Sequence, residues 1–211
     1  MLISLLKDED TPLEERRGEE TTDLVLYFIL VKAPVEPVAQ DLSSLKQMDV
    51  WVPNAYNQEI LIYRESILIF QFRGHAWSII YHPYGSGRRS AFEAEEARSL
   101  SESLNTDAFF YFGSDSSSTI EYHFFSNGIS QEKMFFEEPE NTLEFQSQLR
   151  QIEPGEIEDG YTLAINFVRD QDAYIPGLVA IEPIKPNQTT TLQIENLSSA
   201  ELERMDYLAQ Q

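Results

Sequence analysis

Leu24-Val-Leu-Tyr-Phe-Ile-Leu-Val31 is the longest apolar run in the chain, and its reading decides the fold. The run is apolar on both alternating faces and rich in β-branched and aromatic residues, which predicts a central strand covered on both sides. Eight residues fall far below the roughly 20 needed to cross a bilayer as a helix. Ala108-Phe-Phe-Tyr-Phe112 repeats the pattern. Between and after these two runs the spacing predicts further strands at 60–63, 67–72, 77–81, 120–125, 131–136 and 161–168. Arg73-Gly-His-Ala76 and Asn127-Gly128 read as hairpin turns.

Helices are expected in four places. Asp41 opens one over 41–48, after Pro34 and Pro37 have ended the preceding strand. Ser90 with Glu93 forms a capping box for a second, with a buried stripe of Ala94, Ala97, Leu100, Ser101 and Leu104. A short third is expected over 143–149. Ser198-x-x-Glu201 caps a last one, with Leu202, Met205 and Leu208 on one side. The expectation is therefore an α+β fold, a mainly antiparallel sheet with three to four helices packed on it. The acidic stretch before residue 24 predicts an N-terminal arm over 1–23, followed by a single α+β domain over 24–211.

Composition removes whole classes of function. Among 211 residues, 15 Lys+Arg face 36 Asp+Glu, a net charge of -21. That balance opposes nucleic acid and anionic lipid, both of which attract basic surfaces. The absence of cysteine removes disulfides, thiolate metal sites and cysteine nucleophiles. Met1-Leu-Ile-Ser-Leu-Leu6 meets Lys7-Asp-Glu-Asp10 too soon for a signal peptide, so a cytoplasmic location without membrane association is expected.

Only three histidines exist, His75, His82 and His123, and no HxH or HExxH spacing joins them, so neither a metal nor a cofactor is expected. Asp115-Ser-Ser-Ser-Thr119 superficially fits an adhesion-type metal motif, but a strand follows it, which favours a polar hairpin loop. Glu156, Glu158 and Asp159 lack EF-hand spacing. No GxSxG elbow marks a serine hydrolase. The segment from His82 to Ser90 is more suggestive. Gly85 and Gly87 free the backbone, Arg88 and Arg89 supply charge, and a helix N-terminus follows. With Arg73 and His75 it gives a candidate anion-binding rim over 73–89. Residues 137–159 carry Glu137, Glu138, Glu140, Glu144, Glu153, Glu156, Glu158 and Asp159 against Arg150 alone. Of these, Glu137, Glu138, Glu140, Glu156, Glu158 and Asp159 are the candidate surface for a basic protein partner.

Arg73-Gly-His-x-Trp77, Ala97-x-x-Leu-Ser-x-x-Leu104-x-Thr-x-Ala108, Tyr111-x-x-Ser-Asp115, Tyr122-x-x-Phe-x-x-Gly128 and Asp172-Ala-Tyr-Ile-Pro176 together resemble a pattern in uncharacterised small bacterial proteins of cyanobacterial type. The resemblance implies a small cytoplasmic α+β module and transfers no catalytic residues. The acidic, cysteine-free, β-rich profile is also similar to that of bacterial immunity proteins that cap a basic toxin. The expected function is thus a non-enzymatic, immunity- or adaptor-like protein-binding module working through an acidic surface. The alternative is a small-molecule, anion-binding or enzymatic domain using the His/Arg rim at 73–89. Homo-oligomerisation through a sheet edge is compatible with either.

Overall fold

The run that decides the fold lies in β3 (Val25–Val31), the fifth of nine strands in one sheet. The computed structural model describes residues 2–6, 11–20, 25–83, 90–114, 117–138, 142–152, 157, 159–180 and 185–211. Strands are numbered along the chain. Across the sheet they run β11 (Thr142–Ser147), β10 (Ile129–Glu137), β9 (Thr119–Ser126), β8 (Asp107–Ser114), β3, β7 (Ser78–Tyr81), β6 (Glu65–Phe72), β16 (Leu202–Gln210) and β4 (Val50–Val52). Every neighbouring pair is antiparallel. The protein is mostly β, with this large antiparallel sheet and three α-helices among the described residues.

Alternation along each strand divides the apolar residues between two cores. Ile29, Val31, Ile69, Ile80 and Phe110 face helices α1 (Val35–Lys46) and α2 (Ser90–Ser103). Phe28, Leu30, Phe70, Ile79, Phe109 and Tyr122 face the opposite side, where α3 (Gly160–Asp170) lies. Among the described residues there are three further, small sheets. β1 (Leu2–Leu6) pairs with β13 (Gly177–Ala180) and β15 (Gln193–Glu195); β2 (Gly18–Glu19) pairs with β12 (Tyr174–Ile175); β5 (Glu59–Leu61) pairs with β14 (Thr189–Thr191). Ile3 and Leu5 of β1 are fully buried, and so is Leu13 in a 3₁₀ turn over Leu13–Glu15. Residues 2–6 and 11–20, expected as part of an arm, are thus in contact with the body.

Several elements differ from their sequence reading. Residues 202–210 form β16, not a helix. A bulge between Leu202 and Arg204 adds one residue, so Leu202 and Met205 reach the same core three positions apart, which mimics helical spacing. Ser198 and Glu201 do bond, with the Ser198 N–H and hydroxyl both donating to Glu201 Oε2 at 2.8 Å, but the Glu201 N–H donates to the Ser198 carbonyl, so the pair closes a turn before a strand rather than capping a helix. Residues 160–170 form α3, not a strand. Gly160, Ala164, Phe167 and Val168 are buried, a helical stripe, and Asp159 accepts from the Tyr161 and Thr162 N–H groups at 3.0 and 3.1 Å. Residues 142–147 form β11, not a helix. α1 begins at Val35 rather than Asp41, because Pro37 sits in the first turn, where its missing N–H has no partner to lose. The side chains at 90–93 lie outside the described residues, so the Ser90–Glu93 box does too; α2 nonetheless buries Ala94, Ala97, Leu100 and Ser101.

Candidate functional site

Cross-strand register places chemistry-bearing residues in one line on the α2 side of the sheet. Tyr27 of β3 is opposite Phe112 of β8, and Phe112 is opposite Glu121 of β9. Glu121 is in turn opposite Phe135 of β10, and Phe135 opposite Glu144 of β11. These five residues face the same way because Met134 and Phe136 on β10, and Leu143 and Phe145 on β11, belong to the other core. Tyr27, Phe112, Glu121 and Phe135 are half-buried, and Glu144 is exposed. The next row carries His123 opposite Lys133, with His123 Nε2 2.9 Å from Glu121 Oε1. Glu137 lies on the same face, one alternation from Phe135. α2 packs over β8, β3 and β9 and also touches β10; among the described residues, no helix lies over β11. The result is an open end of the sheet on which aromatic rings alternate with carboxylates.

The covered end of this line is a buried polar cluster. The His82 ring, just beyond β7, lies 5.8 Å from the Tyr27 ring, centroid to centroid. Glu96, on the second turn of α2, is only 6% exposed. Its Oε2 pairs with Lys46 at the end of α1, whereas its Oε1 stands 3.6 Å from His82 Nε2, beyond hydrogen-bond reach. Tyr27 Oη, His82 Nε2 and Glu96 Oε1 are all buried without a hydrogen-bond partner. Burial opposes ionisation of Glu96, but His82 and Lys46 beside it outweigh that and hold its carboxyl below the usual range.

Of the anion-rim residues, Gly85, Gly87, Arg88 and Arg89 lie outside the described residues. The other three do not converge. Arg73 is exposed, 3.5 Å from the equally exposed Glu203. His75 is buried in the α3-side core against Phe72 and Tyr174, its Nε2 2.8 Å from the Leu13 carbonyl oxygen. Burial lowers the His75 pKa, against the opposing pull of the Leu13 carbonyl. His82 sits instead beside Tyr27 and Glu96 on the helix side. Of the acidic candidates, Glu140, Glu156 and Glu158 lie outside the described residues. Glu137 ends β10, Glu138 donates its N–H to the Ser118 carbonyl at 3.0 Å, and Asp159 caps α3. Asp115 and Ser116 of the serine-rich motif are outside as well. Among the described residues, no group of three or more His, Asp or Glu could hold a metal ion, and no helix is long and apolar enough to cross a membrane.

No family model matches the chain, and neither does any curated protein or solved structure. The site is therefore read from its geometry alone. Sequence reasoning missed Tyr27, Glu96, Glu121 and Glu144 as members of one site. The alternation of Tyr27, Glu121 and Glu144 within their strands was visible; the register that aligns five strands, and the packing of α2 that brings Glu96 to them, were not.

Proposed function

We propose that this protein is a cytoplasmic, non-enzymatic binding module that holds a basic partner protein on the open end of its sheet. The observation that carries this reading is the cross-strand line Tyr27–Phe112–Glu121–Phe135–Glu144. Carboxylates set beside aromatic faces suit lysine and arginine side chains, which gain both an ion pair and a cation–π contact. The net charge of -21 extends the attraction beyond contact range and accelerates encounter with a basic protein. The sequence reading placed the surface at 137–159; the geometry favours a face centred on Glu121, Glu137 and Glu144.

A fluorescent arginine- and lysine-rich peptide tests this by anisotropy across a salt series. Removing two charges in Glu121→Gln/Glu144→Gln should weaken binding about 2- to 30-fold, from roughly 0.2–1 kcal/mol per exposed pair. Glu59→Gln/Glu65→Gln removes the same charge from exposed positions on β5 and β6 and should weaken it far less. Equal losses in the two variants, or affinity independent of salt, would refute the assignment.

A further inference from the structure

We infer that the outer edge of β11 takes up an extended strand of the basic partner, running antiparallel and alternating apolar residues with arginine or lysine. This rests on the reading of the open sheet end as the partner-binding face, and it names how the partner engages that end. β11 is the last strand of the nine-stranded sheet, and among the described residues no strand pairs with its far side. None of its residues is buried. Gln148 donates its N–H to the Gln131 carbonyl at 2.7 Å, one step beyond the Ser147–Glu132 pair. Hydrogen-bonded and non-hydrogen-bonded pairs alternate along an antiparallel ladder. Gln146, Glu144 and Thr142, opposite Lys133, Phe135 and Glu137, therefore direct their main-chain groups to β10. Leu143 and Phe145 turn theirs to the open side.

The edge lacks the residues that ordinarily block strand addition. Thr142-Leu-Glu-Phe-Gln-Ser147 contains neither lysine nor proline, and the opposite edge of the sheet, β4, offers only three residues. The two faces of β11 then specify the guest, because directly opposite residues share a face. A cation opposite Glu144 gains an ion pair, and one opposite Thr142 lies in line with Glu137. Lys133, opposite Gln146, ends the basic run at the other end. Leu143 and Phe145 occupy the second face, half-buried and packed against the core. The Arg150 guanidinium already lies 5.7 Å from the Phe145 ring centroid, so apolar side chains suit this face and a second cation does not. Pairing with a second copy of this chain is opposed by the charge of -21 on each, and its β11 supplies no cation for Glu144.

The test measures the anisotropy of a short fluorescein-labelled peptide of alternating valine and arginine as the whole protein is added. With arginine opposite Glu144, the valine N–H groups point at Leu143 and Phe145, and the arginine main-chain N–H groups point away. Methylating every valine nitrogen should weaken binding about 5- to 150-fold, the loss of two hydrogen bonds. Methylating every arginine main-chain nitrogen should change it less than about 2-fold. Amide exchange at Leu143 and Phe145, followed by NMR, should slow about tenfold or more with the parent peptide bound. Equal effects of the two methylations, or unchanged exchange at Leu143 and Phe145, overturn the proposal. So does slowing of those two amides with protein concentration alone, which gives the edge to a second copy. The same peptides separate this from the binding-face reading. If both methylated peptides bind like the parent and all are lost in Glu121→Gln/Glu144→Gln, the face stands and strand addition falls. If methylated valines abolish binding while Glu121→Gln/Glu144→Gln leaves it intact, the edge pairing stands and the charged face falls.

Discussion

Replacing Arg150 with methionine should destabilise the protein by about 3 kcal/mol or more, within the 3–5 kcal/mol expected when a buried charge loses its partner. Glu132, on β10, has a side chain with no solvent exposure. Its Oε1 accepts from Tyr122 Oη at 2.5 Å, and its Oε2 from Ser147 Oγ at 2.6 Å. Arg150 supplies the compensating charge, with Nη2 2.5 Å from Oε1 and Nε 3.0 Å from Oε2. The guanidinium also stacks 4.6 Å from the Phe167 ring centroid of α3. Methionine keeps apolar packing over that ring but leaves Glu132 charged and unpaired. Tyr122 and Ser147 still donate, which holds the cost toward the lower end. At roughly 2–4 °C per kcal/mol for a chain of this size, the melting temperature should fall by about 6–20 °C. Urea unfolding followed by the fluorescence of buried Trp77 gives the free energy. Glu132→Gln/Arg150→Met removes both charges and should recover much of the loss. A cost below about 1 kcal/mol for Arg150→Met would refute the claim that this pair matters through uncompensated burial.

Two further outcomes follow from individual residues. Because burial depresses the pKa of His75, the unfolded chain takes up its proton first. The stability this group contributes is full above its unfolded pKa of about 6.5 and declines as pH falls from there through the lower folded value. His75→Gln should therefore flatten the fall in melting temperature between about pH 7.5 and 5.5, and an unchanged slope would contradict the assignment. Asp159→Ala should cost about 0.5–2 kcal/mol as a lost helix cap while leaving basic-peptide affinity nearly intact. Burial opposes ionisation of Asp159, but bonds from Thr162 and Tyr161 outweigh it and lower its pKa. The cap's contribution is thus present above about pH 4 and is lost as pH falls through the folded value; a large affinity loss in this variant would return Asp159 to the partner surface.

Local chemistry made much of the sheet legible. Asn127-Gly128 both adopt positive φ, +50° and +75°, and join β9 to β10 as their sequence predicts. The alternation of Ile120, Tyr122 and Phe124 against Glu121, His123 and Phe125 assigns each to its face, and Asn105 (φ +51°) ends α2. The misread elements share one cause: their periods were ambiguous within a short window. Leu143-Glu-Phe-Gln-Ser147 alternates, but lies next to Leu149, which suggested a helical turn. Tyr161, Ile165 and Val168 favour strand by residue type, yet the buried set Gly160, Ala164 and Phe167 follows the helical turn. Asp159 just before it was the signal that could have decided the matter.

By itself the sequence determined the central two-faced strand, the antiparallel hairpins, the acidic charge and the absence of thiol chemistry, because each depends on residues adjacent in the chain. Tertiary structure alone decided the rest. The fate of residues 202–210 depended on open edges of β6 and β4 on either side, with backbone groups that a strand could satisfy and a helix could not. The site depended on register across five strands, which sets Tyr27 in line with Glu144 although 117 residues separate them by number. It depended too on α2 packing, which buries Glu96 against His82. No local spacing encodes such alignment; the pairing of whole strands and the burial of their shared face do.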